Sequence, residues 1–132
     1  MSNSNTSQED EKPLLTFNAL YNILRTEKKN HTLQKFPSKF YEALEELIEQ
    51  KNEEIKKLKK ENETEKLKKE QQVKKNIKKI SDELIALRTQ KIAKIATQNT
   101  IFGDNILEED HILEKEKNMY EALSKNIKQL RK

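Results

Sequence analysis

The sequence has no cysteine, one glycine and two prolines among its 132 residues. Without cysteine there is neither a disulfide framework nor a thiolate nucleophile. The scarcity of glycine and proline argues against the many tight turns of a β-sandwich or barrel. The two histidines, His31 and His111, do not have metal-ligand spacing, so we predict no metal site. Because neither a glycine-rich phosphate loop nor a nucleophile elbow occurs, we also predict no catalytic residue, no cofactor and no enzymatic activity.

Long apolar segments are absent as well. Residues 1–13 lack the apolar stretch of a signal peptide, and no apolar run approaches the roughly 18 residues that a membrane-spanning helix needs. We therefore expect a cytoplasmic protein without membrane contact. The polar residues 1–13 end at Pro13 and are typical of a disordered tail, which leaves 14–132 as one helical domain.

The composition favours helices. Charged residues make up 38% of the chain and hydrophobic residues 33%, with Lys, Glu, Leu and Ile abundant. This is enough apolar material for seams between helices, but not for a thick independent core. We therefore expect the chain to complete its burial in an oligomer.

Apolar residues recur with helical spacing in the first half of the chain. A first helix is predicted behind the N-cap Thr16 and ends near Asn30, with one apolar face over two turns. A second is predicted behind Ser38 and carries its apolar stripe as far as Leu58. The stripe lapses over 59–66, where Asn62 and Glu65 resemble a capping box, and we place a bend there.

Two further helices are predicted in the second half. The third is best patterned from residue 73 onward and breaks at Gly103. The fourth is predicted to start near Leu107, with the acidic residues 108–110 in its first turn, where negative charge is favoured. The expected fold class is all-α, a four-helix arrangement with a long central antiparallel helical pair and two shorter helices.

The net charge of +4 is unevenly distributed. Residues 51–79 contain 12 Lys and 6 Glu, a local balance of +6. This segment either contacts nucleic-acid phosphates or an acidic partner, or is a solvated helical hairpin. No aromatic residue occurs between Tyr41 and Phe102, so any nucleic-acid contact would involve phosphates only and lack sequence preference. Arg88 and Lys91 share a helix face and either pair with an acidic partner or flank the core.

Three segments together resemble the α-helical domain of GINS, the replication assembly factor. LRTQKIAKIA at 87–96 is similar to the Arg-x-x-Lys-Ile helix end of that family, and LEEDHILEKEKNMYEAL at 107–123 to its acidic helix start and Tyr-x-x-Leu step. The segment 33–41, LQKFPSKFY, resembles the entry to its long second helix. The resemblance is to the archaeal class with the helical domain first, and it covers about residues 14–130. That class continues into a small β-rich domain, whereas this sequence stops at Lys132, so we expect either a shortened form or a truncated chain.

The resemblance implies a non-catalytic subunit. GINS subunits pack through their helical domains and join the MCM motor and a RecJ-like partner in the replicative helicase, which implies a nucleoid-associated location. An alternative reading is a coiled-coil adaptor or a small basic nucleic-acid-binding protein. Aromatic residues carry much of the energy of interfaces, although core packing near helix ends is the competing explanation for them. The candidate interface residues are Phe17, Tyr21, Phe40, Tyr41, Arg88, Lys91, Tyr120 and Leu123.

Overall fold

The structure, a computed structural model, describes residues 13–131. It contains four helices, α1 (Phe17–Lys29), α2 (Phe40–Lys60), α3 (Thr64–Phe102) and α4 (Glu114–Leu130), and no strand within the described range. The predicted all-α, four-helix fold class is confirmed. The predicted tail lies outside the described residues except for Pro13.

The helix α3 is the axis of the molecule. Its 39 residues extend for about 58 Å, and α1, α2 and α4 all pack against it. The turn 61–63 joins α2 and α3 into an antiparallel pair, held by the Lys51–Glu70 ion pair at 3.0 Å. In contrast, α4 runs in the same direction as the last turns of α3. The connector 103–113 returns along α3 before α4 begins, so that Glu116 lies beside Arg88 and Arg131 lies beside Ile101.

Several predicted helix ends are confirmed. The hydroxyl of Thr16 accepts a hydrogen bond from the Ala19 N–H at 3.1 Å, as an N-cap does. The third helix ends at the predicted glycine, because Gly103 adopts the left-handed conformation (φ 72°) that closes many helices. The predicted bend is a true break between two helices, since α2 ends at Lys60 and α3 begins at Thr64.

Three predicted helix starts were wrong. Lys39, not Ser38, is the N-cap of α2. Asn62 does not cap α3; it takes a positive φ of 55° because the chain reverses within three residues, and asparagine tolerates that conformation better than most residues. The fourth helix begins at Glu114 instead of near Leu107. Residues 107–113 instead belong to the connector, which returns along α3 to Arg88. The Arg88 guanidinium binds the His111 carbonyl of this connector.

Two hydrophobic clusters hold the helices together. The larger one joins α1, α2 and the middle of α3 and includes Leu20, Phe40, Ile77 and Leu84. The smaller one joins the connectors 30–39 and 103–113 to the later part of α3 through Leu33, Ile92, Ile95 and Ile112. Among the helices described, none is both long and apolar enough to cross a membrane.

Candidate docking surface and a buried ion-pair network

Arg88 is the largest fully buried side chain among the described residues. Only 1% of it is exposed, yet all five of its N–H groups have an acceptor. Its Nε and Nη2 donate to the two carboxylate oxygens of Glu116 at 2.6 and 2.7 Å, and its Nη1 donates to Glu27 at 3.0 Å. The remaining donors bind the carbonyls of Gln34 and His111 at 2.8 and 2.9 Å. Arg88 therefore ties α1, α4 and both connectors to α3.

Lys91 and Tyr41 complete this arrangement. The ammonium group of Lys91 lies 2.7 Å from the Glu27 carboxylate and 2.7, 2.9 and 3.1 Å from the carbonyl oxygens of Glu27, Asn30 and Thr32, and its three N–H groups are shared among these four acceptors. Cations stabilise the C-terminal end of a helix, here that of α1, because its last carbonyls lack partners within the helix. The Tyr41 hydroxyl donates to Glu116 at 2.7 Å. We call Glu27, Tyr41, Arg88, Lys91 and Glu116 the ion-pair network.

The network balances two cations against two carboxylates. Burial alone raises the pKa of Glu116, but hydrogen bonds from Arg88 and from the Leu113 N–H outweigh it, and the pKa falls below its ordinary value. Burial, followed by the hydrogen bond to Glu116, raises the pKa of Tyr41 well above its ordinary value. The carboxylate therefore stays charged and the phenol stays neutral, which is the state that these hydrogen bonds require.

The lowered pKa of Glu116 predicts how stability depends on pH. A carboxyl group whose pKa is lower in the folded state stabilises the fold above its ordinary value of 4.5, and this contribution is lost as pH falls toward the folded value. Glu116→Gln should therefore be less stable than the wild type at neutral pH. The difference in the free energy of unfolding between the wild type and Glu116→Gln should shrink as the pH falls from the ordinary pKa of 4.5 toward the lower pKa of the folded state. Urea denaturation at a series of pH values measures this difference, and a difference that does not change with pH would contradict the assignment.

The structure separates the candidate interface residues into two groups. Phe40 and Arg88 are interior, and Tyr41 and Lys91 are largely covered, so these four support the fold from inside. This corrects the expectation that Phe40 and Arg88 contact a partner, because neither side chain reaches the surface. The remaining four are accessible in part, and their role in an interface stays a prediction: Phe17, Tyr21, Tyr120 and Leu123.

A group of exposed apolar side chains that the sequence did not single out lies at one end of the molecule. Phe102 is 66% exposed, Ile106 50% and Leu130 84%. Phe102 ends α3 and Leu130 ends α4, and the two helix ends are joined by a hydrogen bond from Arg131 to the Ile101 carbonyl at 3.0 Å. The Ile106 N–H donates to the Asn99 side chain at 3.0 Å, which holds the start of the connector against α3. We call Phe102, Ile106 and Leu130 the end patch. Exposed apolar groups of this size are typical of contact surfaces when they cluster.

The acidic residues 108–110 lie in the connector and not in the first turn of a helix. Glu108, Asp110 and His111 bring one potential ligand atom each within 4.8 Å of one another. The two carboxylates are exposed, and Asp110 also lies 3.8 Å from Lys35. The His111 Nδ1 is engaged with the Leu33 carbonyl at 2.9 Å. The contacts of this group are those of a surface turn, and we assign no ligand to it.

The chain matches no protein-family model, no curated protein and no solved structure.

Proposed function

We propose that this chain is a non-catalytic subunit of the GINS DNA replication complex, a scaffold for the MCM-containing replicative helicase and its RecJ-like partner. The proposal takes the family from the sequence resemblance at 33–41, 87–96 and 107–123. In the second of these segments the structure gives Arg88 and Lys91 a shared role as organisers of the fold. In the third, the acidic residues lie in the connector, so that part of the resemblance is one of sequence only.

The end patch is the observation that carries the proposal. It exposes three large apolar side chains at the end where α3 and α4 finish side by side. Tyr120 and Leu123 of α4 are half-buried and lie on the same helix. Apolar surfaces of two helical domains that pack against each other bury such side chains, and large apolar anchors contribute most of the energy of an interface. We therefore expect the end patch to bind the helical domain of another GINS subunit.

A double substitution tests this contact. Phe102→Glu with Leu130→Glu places two charges in the end patch and should reduce the amount of a co-expressed GINS partner that purifies with the chain by about tenfold or more. The control is Leu14→Glu with Ile85→Glu, which adds the same charge at two exposed apolar positions outside the patch. It should retain the partner. If both variants retain the partner equally, the end patch is not the interface.

A second candidate function is a free-standing coiled-coil adaptor or a small basic nucleic-acid-binding protein. The long antiparallel pair α2–α3 and the lysines on it favour this alternative. The two functions differ in what they require for stability in solution. A subunit needs a second chain to cover the end patch, whereas a free-standing adaptor or basic binding protein stays monomeric.

A further inference from the structure

The first part of α3 carries seven lysines that form no ion pair with any carboxylate of the described residues. Between Glu65 and Asp82 the only acidic residue is Glu70, and its carboxylate is held by Lys51 of α2 at 3.0 Å. Within residues 13–131 none of the seven lysines forms an ion pair: Lys66, Lys68, Lys69, Lys74, Lys75, Lys78 and Lys79. This part of the helix therefore presents uncompensated positive charge.

The lysines are arranged along the helix in a row. Lys68, Lys75 and Lys79 are separated by seven and four residues, the spacing that places side chains on one face of a helix. All three are exposed, whereas Ile77 on the opposite face is fully buried. The row from Lys68 to Lys79 is about 16 Å long. We call the outward face of residues 66–79 the lysine face.

The lysines of α2 have a different environment, although they belong to the same hairpin. Residues 56–60 contain four of them, and four glutamates occur within three residues on either side, at 53, 54, 61 and 63. Positive and negative charges are therefore mixed on that side of the hairpin. Counted in the same way, residues 63–82 hold seven lysines and four acidic residues, so the excess of positive charge lies on the α3 side of the hairpin.

The chemistry of the lysine face suits a nucleic-acid backbone better than a protein. Protein partners are held mainly by large apolar or aromatic anchors, and no large hydrophobic residue from 64 to 84 is strongly exposed. A phosphate backbone requires only a row of cations, and binding then has no sequence preference. We propose that the lysine face binds the phosphate backbone of nucleic acid. It lies at least about 34 Å along α3 from Phe102, so this contact is separate from the end patch and does not rest on it.

Two variants with the same change in net charge test the proposal. The first variant removes four cations of the lysine face and combines Lys68→Gln, Lys75→Gln, Lys78→Gln and Lys79→Gln. The control changes the four lysines of α2 to glutamine: Lys56, Lys57, Lys59 and Lys60. All eight positions are exposed, and glutamine has nearly the same helix propensity as lysine, so both variants should fold.

The measurement is the affinity for a short DNA duplex of random sequence, by fluorescence anisotropy between about 50 and 200 mM salt. Each phosphate contact steepens the logarithmic dependence of affinity on salt by about 0.9. The α3 variant should flatten this dependence by about 3, and the α2 variant by about 1 or less. Equal losses in the two variants, or no salt-dependent binding by the wild type, would overturn the proposal. Equally tight binding of polyglutamate would do so too, since it would assign the lysine face to an acidic protein.

Discussion

Replacing Arg88 by methionine is expected to lower the free energy of unfolding by about 3 to 5 kcal/mol. Methionine approximates the volume of the arginine side chain but supplies none of its five donors. Glu27 is fully buried, and Glu116 is 5% exposed. Without Arg88, Glu116 loses its cationic partner and Glu27 is left with Lys91 alone. The carbonyls of Gln34 and His111 also lose their donor. Removal of one partner from a buried ion pair is costly because the other charge remains in a poorly solvated place.

Chemical denaturation of three variants measures this effect. Lys94→Met changes the same helix and the same charge at an exposed position, and it should alter stability by about 0.5 kcal/mol or less. Arg88→Lys keeps the charge but not the planar fork that binds Glu116 with two hydrogen bonds, and it should fall between the other two. An Arg88→Met protein within about 1 kcal/mol of the wild type would show that the ion-pair network does not hold the helices together.

Replacing Leu84 by aspartate is expected to unfold the domain. Leu84 is 1% exposed within the larger hydrophobic cluster, between α3 and its neighbours. The substitution removes a buried leucine, which by itself costs about 2 to 5 kcal/mol, and adds an unpaired carboxylate to an apolar seam. The sum is comparable with the whole stability of a small domain. Circular dichroism should therefore show loss of most of the helical signal at room temperature.

The next residue along the chain supplies a matched control. Ile85 is a branched apolar residue of α3, as Leu84 is, but 42% of it is exposed. Ile85→Asp makes the same chemical change toward solvent and should leave the helical signal intact. Equal helical signals from both variants would contradict the packing described for the middle of α3.

The helices were predictable because their apolar spacing is local information. Thr16 and Gly103 marked two ends correctly, since capping depends on residues a few positions away. The start of the fourth helix was not predictable in this way. The acidic residues 108–110 satisfied the electrostatic preference of a helix start, but they form a turn closed by the bond from the His111 N–H to the Glu108 carbonyl, and Arg88 binds the His111 carbonyl. The helix therefore begins only after Leu113.

The role of Arg88 was open at the sequence level for a similar reason. Its partners Glu27 and Glu116 are 61 and 28 residues away, and no local pattern joins them. A signal was nevertheless present in the helices that carry the partners. Glu27 follows Leu20 and Leu24 at positions i+7 and i+3, on the apolar face of α1. A carboxylate on an apolar face needs a buried cation, and Arg88 is one that also lies beside an apolar seam.

The end patch was missed because its members are far apart in sequence. Leu130 belongs to the apolar stripe of the fourth helix, and the pattern predicts burial for it, but the structure leaves it 84% exposed. Leu130 lies where α3 and α4 finish side by side, and no helix among the described residues covers it.

The mass of the chain in solution, measured by light scattering after co-expression with a GINS partner, tests the subunit assignment most directly. The chain alone has a mass of 15.6 kDa. The account predicts a single stable species whose mass is the sum of both proteins in a fixed ratio, and self-association or precipitation when the chain is purified by itself. A well-behaved species of 15.6 kDa that elutes apart from the partner would contradict the assignment and favour the free-standing binding protein.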